Sequence, residues 1–290
     1  MRNMENERKS MLMFIGSMLI FGTIGIFRRY IPLPSGFIAM VRGLLGGLFL
    51  TAFVKLKREN SGDRLPLSRI FMLAVTGGVM GFNWILLFEA YNHTTVAVAT
   101  LCYYMEPTIV LLLSPLLFGE RLTKKKMLCA VIAVIGMVLV SGVTGNDGIQ
   151  SGNLKGVAFG LGAALLYSFV VIMNKTLSGI NAWKKTIIQL ISAGAVMIPY
   201  LLLTCCLSSV TFSRVAVLLL LVVGIVHTGF AYALYFGSMD GLKAQTIALL
   251  SYIDPVSALF FSAVFLREPL SPAGLAGAVM IIGSAIVSEL

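Results

Sequence analysis

Residues 70–91 read IFMLAVTGGVMGFNWILLFEAY, a run with a single charged side chain, Glu89. A soluble helix of this length carries a polar stripe opposite its buried face. Here Thr76 and Asn83 are the only other strongly polar positions, and they form no stripe. Roughly 20 mainly apolar residues are what a helix needs to cross a hydrocarbon core of about 30 Å. Runs like this one recur from end to end. Of the 290 residues, 58% are apolar and 12% charged, with a mean hydropathy of +0.94. Soluble domains are about 45–50% apolar and about 25% charged. A chain this poor in charge cannot cover itself with polar surface. It is equally unlike a disordered chain, which lacks apolar residues. The solvent for most of it is lipid.

Working outward from 70–91, the pattern predicts ten spans, near 11–27, 36–54, 70–91, 96–118, 127–143, 154–173, 186–207, 215–238, 246–266 and 272–287. Lipid offers no partner to free backbone groups, so spanning segments are helices or closed barrels. Barrel strands alternate in hydropathy, and these runs do not. The expected class is an all-α integral membrane bundle with short loops. Of the 22 Lys and Arg residues, sixteen fall on the side that holds the N-terminus, five on the other, and Arg42 inside a span. Short-loop basic bias marks the cytoplasmic face. This places both termini of the multi-pass chain in the cytoplasm; a monomer or homodimer is the expected assembly. The net charge of +10 is then a topology signal. A nucleic-acid partner would need a basic face outside the loops, and none is expected. The charged first ten residues, with no small-residue cleavage site after the first apolar run, predict that this run is retained as a span. Cys102, Cys129, Cys205 and Cys206 fall in spans without metal-ligand spacing, and read as small buried hydrophobes. No cofactor or metal is implied.

The chain repeats itself. A shift of 148 positions lays 81–122 on 229–270, matching Tyr104 with Tyr252, Pro107 with Pro255, Ser114 with Ser262 and Glu120 with Glu268, and setting Glu106 on Asp254. Gly47 meets Gly194 at 147 and Gly16 meets Gly162 at 146. Two halves follow, 1–145 and 150–290, each predicted to hold five helices. An odd number forces the second half to enter the membrane from the opposite side. Inverted repeats are a recurring construction of secondary transporters, with the substrate site near the midplane between the repeats.

The stretches YYMEPTIVLLLSPLLFGERLT (103–123) and SYIDPVSALFFSAVFLREPLS (251–271) carry a recognisable pattern. Each sets a Pro within a helix, a Glu about thirteen residues later, and a Leu-Ser or Leu-Thr opening the next loop. In this the chain resembles the drug/metabolite transporter superfamily, specifically its ten-helix EamA-type members. The resemblance implies a carrier of the cell (inner) membrane and leaves the cargo open. Members move amino acids, amines, sugars, nucleotide-linked metabolites and drugs, usually as exporters.

An ionisable group at a span centre costs at least about 2.5–3.5 kcal/mol and marks function by default. Arg42, Glu106 and Asp254 sit inside spans, and Glu89 near the outer end of one. Glu106 and Asp254 lead, as repeat equivalents that each precede a Pro. The Pro removes one helix hydrogen bond and frees a carbonyl one turn earlier. Such a site suits an ammonium group or an exchangeable proton, because burial favours a protonated carboxyl and a bound cation favours the ionised one. Both acids are therefore candidates for substrate binding and for proton coupling. Arg42, with Gln189 as its repeat counterpart, either binds a substrate carboxylate or neutralises Glu106. Trp84, Tyr103, Ser251 and Tyr232 complete the candidate binding set. On an unbroken helix residues two apart point about 200° apart, so Tyr103, three before Glu106, is favoured over Tyr104. Tyr91 and Tyr200 read as interface-belt residues, His227 as a satisfied core residue, Glu120 and Glu268 as caps or gate contacts. Glycines four apart, such as Gly43 and Gly47, read as close helix packing.

The expected function is secondary active export of a small polar metabolite such as an amino acid or amine, by alternating access and coupled to protons. An uncoupled facilitator or channel is the alternative. No H-E-x-x-H pair or G-x-S-x-G elbow supports an enzyme, and no G-x-x-x-x-G-K-[ST] loop supports an ATP-driven pump. The expected partners are a small-molecule substrate and the bilayer.

Overall fold

The computed structural model describes residues 2–58, 65–118, 123–140, 151–204, 212–239, 242, 244–268 and 270–289. Among them there is no strand. The helices are α1 (Arg2–Gly22), α2 (Ile24–Arg29), α3 (Ser35–Lys57), α4 (Leu67–His93), α5 (Val96–Tyr103), α6 (Glu106–Phe118), α7 (Lys124–Val140), α8 (Ser151–Thr176), α9 (Ala182–Thr204), α10 (Arg214–Gly224), α11 (Ala231–Met239), α12 (Ala244–Ser251), α13 (Ile253–Phe261) and α14 (Pro272–Glu289). π-helical turns occupy Ile225–Phe230 and Ser262–Leu266. Among the described residues, seven helical segments are long and apolar enough to cross a membrane: Glu7–Arg29, Ser35–Lys57, Leu67–His93, Val96–Leu117, Leu154–Thr176, Ala182–Thr204 and Arg214–Met239. Ile253–Leu266 and Pro272–Ser288 are shorter apolar helices. The outer surface is lined with exposed side chains such as Leu112, Leu116, Val131, Leu202, Leu218, Phe260 and Val279. An aqueous protein does not expose apolar area on this scale. This is a multi-pass membrane protein.

Several apolar runs that read as continuous helices are broken. The run containing Glu106 stops at Tyr103, turns through Tyr104 and Met105, and restarts at Glu106. The run containing Asp254 stops at Ser251 and restarts at Ile253. Pro107 and Pro255 lie just inside the restarted helices, where a missing N–H costs nothing. The first run breaks at Thr23, whose hydroxyl donates to the carbonyl of Ile20 at 2.8 Å.

Helices meet through small residues. Gly194 faces Met40 and Leu44 of α3, while Gly47 faces Leu190 and Ile191, so α3 and α9 run antiparallel. A Cβ at Gly43 would come within 2.6 Å of the Gly194 nitrogen. Gly136 faces Met280 and Ile281, and Gly277 faces Leu139 and Val140, which makes α7 and α14 antiparallel as well. α8 packs along α4, α5 and α6, and α1 packs along α11, α12 and α13. The main core holds Ile38, Leu50, Phe88, Leu190 and Met197, and a second cluster gathers Leu101, Cys102, Ala133 and Ile281.

Tyr91 departs from the belt expectation. It is 4% exposed and belongs to the main core, because its end of α4 is overlaid by α2. Cys102 and Cys129 are buried free thiols. Cys205, Cys206 and Glu120 lie outside the described residues.

Candidate functional site

The broken helices face one internal cavity of about 490 Å³. Its wall includes all eight residues of the expected binding set: Arg42, Trp84, Tyr103, Glu106, Gln189, Tyr232, Ser251 and Asp254. α3 and α4 supply Arg42 and Trp84, and the breaks supply the acids. Glu106 opens α6 and Asp254 is the second residue of α13. A helix start is where its dipole favours negative charge, so each break both loosens the backbone and seats a carboxylate. The breaks are held by helices remote in sequence. Ser168 of α8 donates from Oγ to the carbonyl of Glu106 at 3.3 Å. Gly22 of α1 lies so close to α13 that a Cβ there would stand 2.9 Å from the carbonyl oxygen of Asp254.

Arg42 is buried. Its Nε donates to Thr228 Oγ1 at 2.9 Å, and its guanidinium carbon stands 4.2 Å from the ring centroid of Trp84. Thr228, inside the π-helical stretch, in turn donates to the carbonyl of Val223 in α10. A hydroxyl and a ring face thus orient the guanidinium toward the cavity, where its fork matches a carboxylate. Gln189 Nε2 donates to Asn174 Oδ1 at 2.7 Å. Ser251 Oγ donates to the carbonyl of Ile247 at 2.8 Å. Tyr232 stacks on Phe236 with centroids 5.9 Å apart, and Tyr103 stands 5.5 Å from the ring of Tyr167.

Both tyrosines at the first break reach the cavity. Tyr104 Oη donates to Asp254 Oδ2 at 2.6 Å, and Tyr104 lines the cavity beside Tyr103. A separation of about 200° holds only on a continuous helix, and the turn at Tyr104–Met105 interrupts this one. Glu89 is not on the cavity wall; it accepts from Ser35 Oγ and from Asn92 Nδ2. Lys185, which reads as a loop residue, is on the wall. Among the described residues the wall charges are therefore Glu106 and Asp254 against Arg42 and Lys185. Tyr167 is a further wall residue outside the expected set, although a shift of 146 places it on Phe21, which also lines the wall. His227 is buried, with Thr23 Oγ1 at 2.8 Å from its Nε2 and Phe27 edge-on to its ring. Among the described residues no cluster of His, Cys, Asp and Glu could hold a metal ion.

The cavity has a direction. Its wall extends to Asn174, Ile180, Ala182 and Lys185, around the α8–α9 connection on the basic-loop side, and to Met239. Toward the other face the wall stops at Ile24, Leu87 and Thr100. A buried, tyrosine-rich chamber with charges of both signs suits a small polar organic molecule.

The sequence profile of the EamA-like transporter family matches residues 8–142 and 154–289. The chain belongs to this family. The Bacillus subtilis (strain 168) uncharacterized transporter YxxF is 26% identical over 261 residues, covering 90% of this chain and 83% of that protein. Protein PecM of Dickeya dadantii (strain 3937) is 27% identical over 277 residues, 92% of this chain and 87% of the relative. Protein RarD of Escherichia coli (strain K12) is 25% identical over 271 residues, 91% and 88%. A solved crystal structure superposes with a TM-score of 0.69 at 21% identity, covering 97% of this chain and 98% of the other, and so shares the fold. A transporter of the EamA-like family is a carrier rather than an enzyme, and the cavity is where a small-molecule cargo has room to sit.

Proposed function

We propose that this EamA-like protein is a secondary active exporter of a small zwitterionic metabolite, an amino acid being the best match, working by alternating access and coupled to protons through Glu106 and Asp254. The observation that carries the reading is the cavity at the meeting of the broken helices, whose wall reaches the α8–α9 connection on the side of the basic loops. An ammonium group finds Glu106 and Asp254 there, and a carboxylate finds Arg42 and Lys185. The balance of charge favours a zwitterion over a simple amine.

The second part of the reading is architectural: ten crossings in two inverted halves. Its support is that equivalent positions recur on the cavity wall. Trp84 and Tyr232, Leu87 and Tyr235, Tyr103 and Ser251, and Glu106 and Asp254 are pairs at a shift of 148. Packing repeats in the same way, with Gly16 against Leu234 and Gly162 against Leu86. The antiparallel pairs α3–α9 and α7–α14 join equivalent helices of the two halves, as an in-plane pseudo-two-fold axis requires. With the basic loops cytoplasmic, this conformation takes cargo from the cytoplasm in the inner membrane, which is the loading step of an exporter.

The test is counterflow in proteoliposomes with labelled amino acids and amines, with and without a proton gradient. Movement of an amino acid, stimulated by the gradient and lost in Glu106→Gln and Asp254→Asn, is the expected result. No movement of any probe would sink the cargo class. Unchanged rate and pH dependence in both variants would establish uncoupled facilitation instead.

A further inference from the structure

One carboxylate, at the end away from the basic loops, gathers four helical segments. Glu268 follows the π-helical turn Ser262–Leu266 that ends the α13 segment. Its Oε1 accepts from Arg29 Nη2, the last residue of α2, at 2.9 Å. Its Oε2 accepts from the backbone N–H of Val96, the first residue of α5, at 3.0 Å, and from Ser262 Oγ at 3.0 Å. Arg29 completes the ring, because its Nη1 donates to the carbonyl of Tyr91 in α4.

An exposed ion pair holds little, but this one differs in two ways. The Glu268 side chain is only 12% exposed against 39% for Arg29, and it satisfies a helix-start N–H that has no intrahelical partner. The backbone beside it is also strained. Arg267 sits in the left-handed region at φ +55°, which a non-glycine residue keeps only when its surroundings hold it there. The Glu268 N–H bonds to the carbonyl of Ser262 at 3.3 Å, so the turn and the ion pair are fastened together.

The cluster stands just beyond the end of the cavity wall that lies away from the basic loops. Ile24, the first residue of α2, and Thr100, one turn into α5, are wall residues on the helices that Glu268 joins. We propose that Arg29–Glu268 is the latch of the closed gate. Breaking it releases α2 and the start of α5 from the α13 segment, and opens the cavity at the face opposite the basic loops. The purpose of such a gate rests on the alternating-access reading, but its existence can be tested without cargo.

Full-length protein in nanodiscs, with the native cysteines replaced, would carry spin labels at Tyr30→Cys and Phe265→Cys, two exposed sites flanking the latch. Double electron–electron resonance should give one narrow distance distribution with the latch intact. Glu268→Gln and Arg29→Gln should each lengthen and broaden it, and the exchange Arg29→Glu with Glu268→Arg should restore part of the short population. An unchanged distribution in both single variants overturns the latch. Arg29→Gln leaves the Glu268 contact to Val96 in place, so it decides the matter if Glu268→Gln does not fold. If the distances respond as stated while the wild type moves no cargo, the transport reading falls and the latch stands.

Discussion

At the scale of single residues, the cavity turns on two polar contacts that cross between sequence-distant segments: Tyr104 with Asp254, and Arg42 with Thr228. A hydrogen bond to a charged group contributes about 1.5–3 kcal/mol. Tyr104→Phe keeps the ring and removes that bond. It is expected to raise the KM for a transported amino acid roughly tenfold or more, on the scale of about 1.4 kcal/mol per decade. Because Tyr104 acts through Asp254, adding Tyr104→Phe to Asp254→Asn should weaken amino-acid binding, read as the thermal shift of purified protein, no further than Asp254→Asn does; additive losses of binding would show that Tyr104 acts alone. Arg42→Lys keeps the charge but loses the Nε bond and the stack on Trp84, a desolvated cation–π contact of about 2 kcal/mol. Competition uptake should then show a larger loss for amino acids than for amines lacking a carboxylate, and equal losses would remove Arg42 from carboxylate recognition. The acids and Arg42 were legible in the sequence because charge in lipid is rare. Lys185 and Thr228 were not: a lysine beside a predicted loop and a threonine in an apolar run look ordinary until α9 sets Lys185 on the cavity wall and α3 sets Arg42 against Thr228.

At the scale of elements, breaks and close approaches shape the molecule more than helix propensity does. The apolar runs show where helices lie, and Pro107 and Pro255 mark two that loosen. The turn at Tyr104–Met105 could not be placed from Pro107 alone, since a proline kinks a helix over the preceding turn without saying which residue leaves it. The π-helical stretch Ile225–Phe230 has still less of a local signature. It is sustained by Thr228 bonding Val223 and by α3 lying against it, with Phe49 at Gly229. Glycine spacing is the better guide, because a Cβ has no room where backbones touch. Gly43→Leu would drive a side chain into Gly194 and the carbonyl of Leu190. Overpacking of this kind costs typically about 1–3 kcal/mol, so detergent-solubilised Gly43→Leu should melt several degrees below wild type. Gly283, where nothing lies within 4 Å of an added methyl, provides the control: Gly283→Ala should melt no lower than wild type.

At the scale of the whole molecule, what matters is that the halves pack on each other more than on themselves. α8 covers α4, α5 and α6; α1 covers α11, α12 and α13; α3 lies on α9 and α7 on α14. The repeat offsets near 146–148 were readable from Tyr104, Pro107 and Glu106 against their partners, but nothing in a repeat says whether its copies fold separately or exchange helices. The contacts say that they exchange. A chain cut between 145 and 150 should therefore behave as one protein in two pieces. Residues 1–145 alone lack the α8 surface that α4 needs, and 150–290 alone lack α1 and α3. The second piece also has an orientation of its own to satisfy. Under the inverted arrangement it must begin on the outer face, and its charges fit that, with Lys155 near its start against Lys175, Lys184 and Lys185 at the helix ends that flank its first connection. Positive-inside bias in short loops should thus insert it correctly without the first half. Co-expression with a tag on 1–145 is expected to pull down 150–290 as a stoichiometric complex that melts as a unit, while either half alone aggregates or is degraded. A half that purifies alone as a folded, monodisperse species would show that each repeat owns its core, and the exchanged packing would then be incidental to stability.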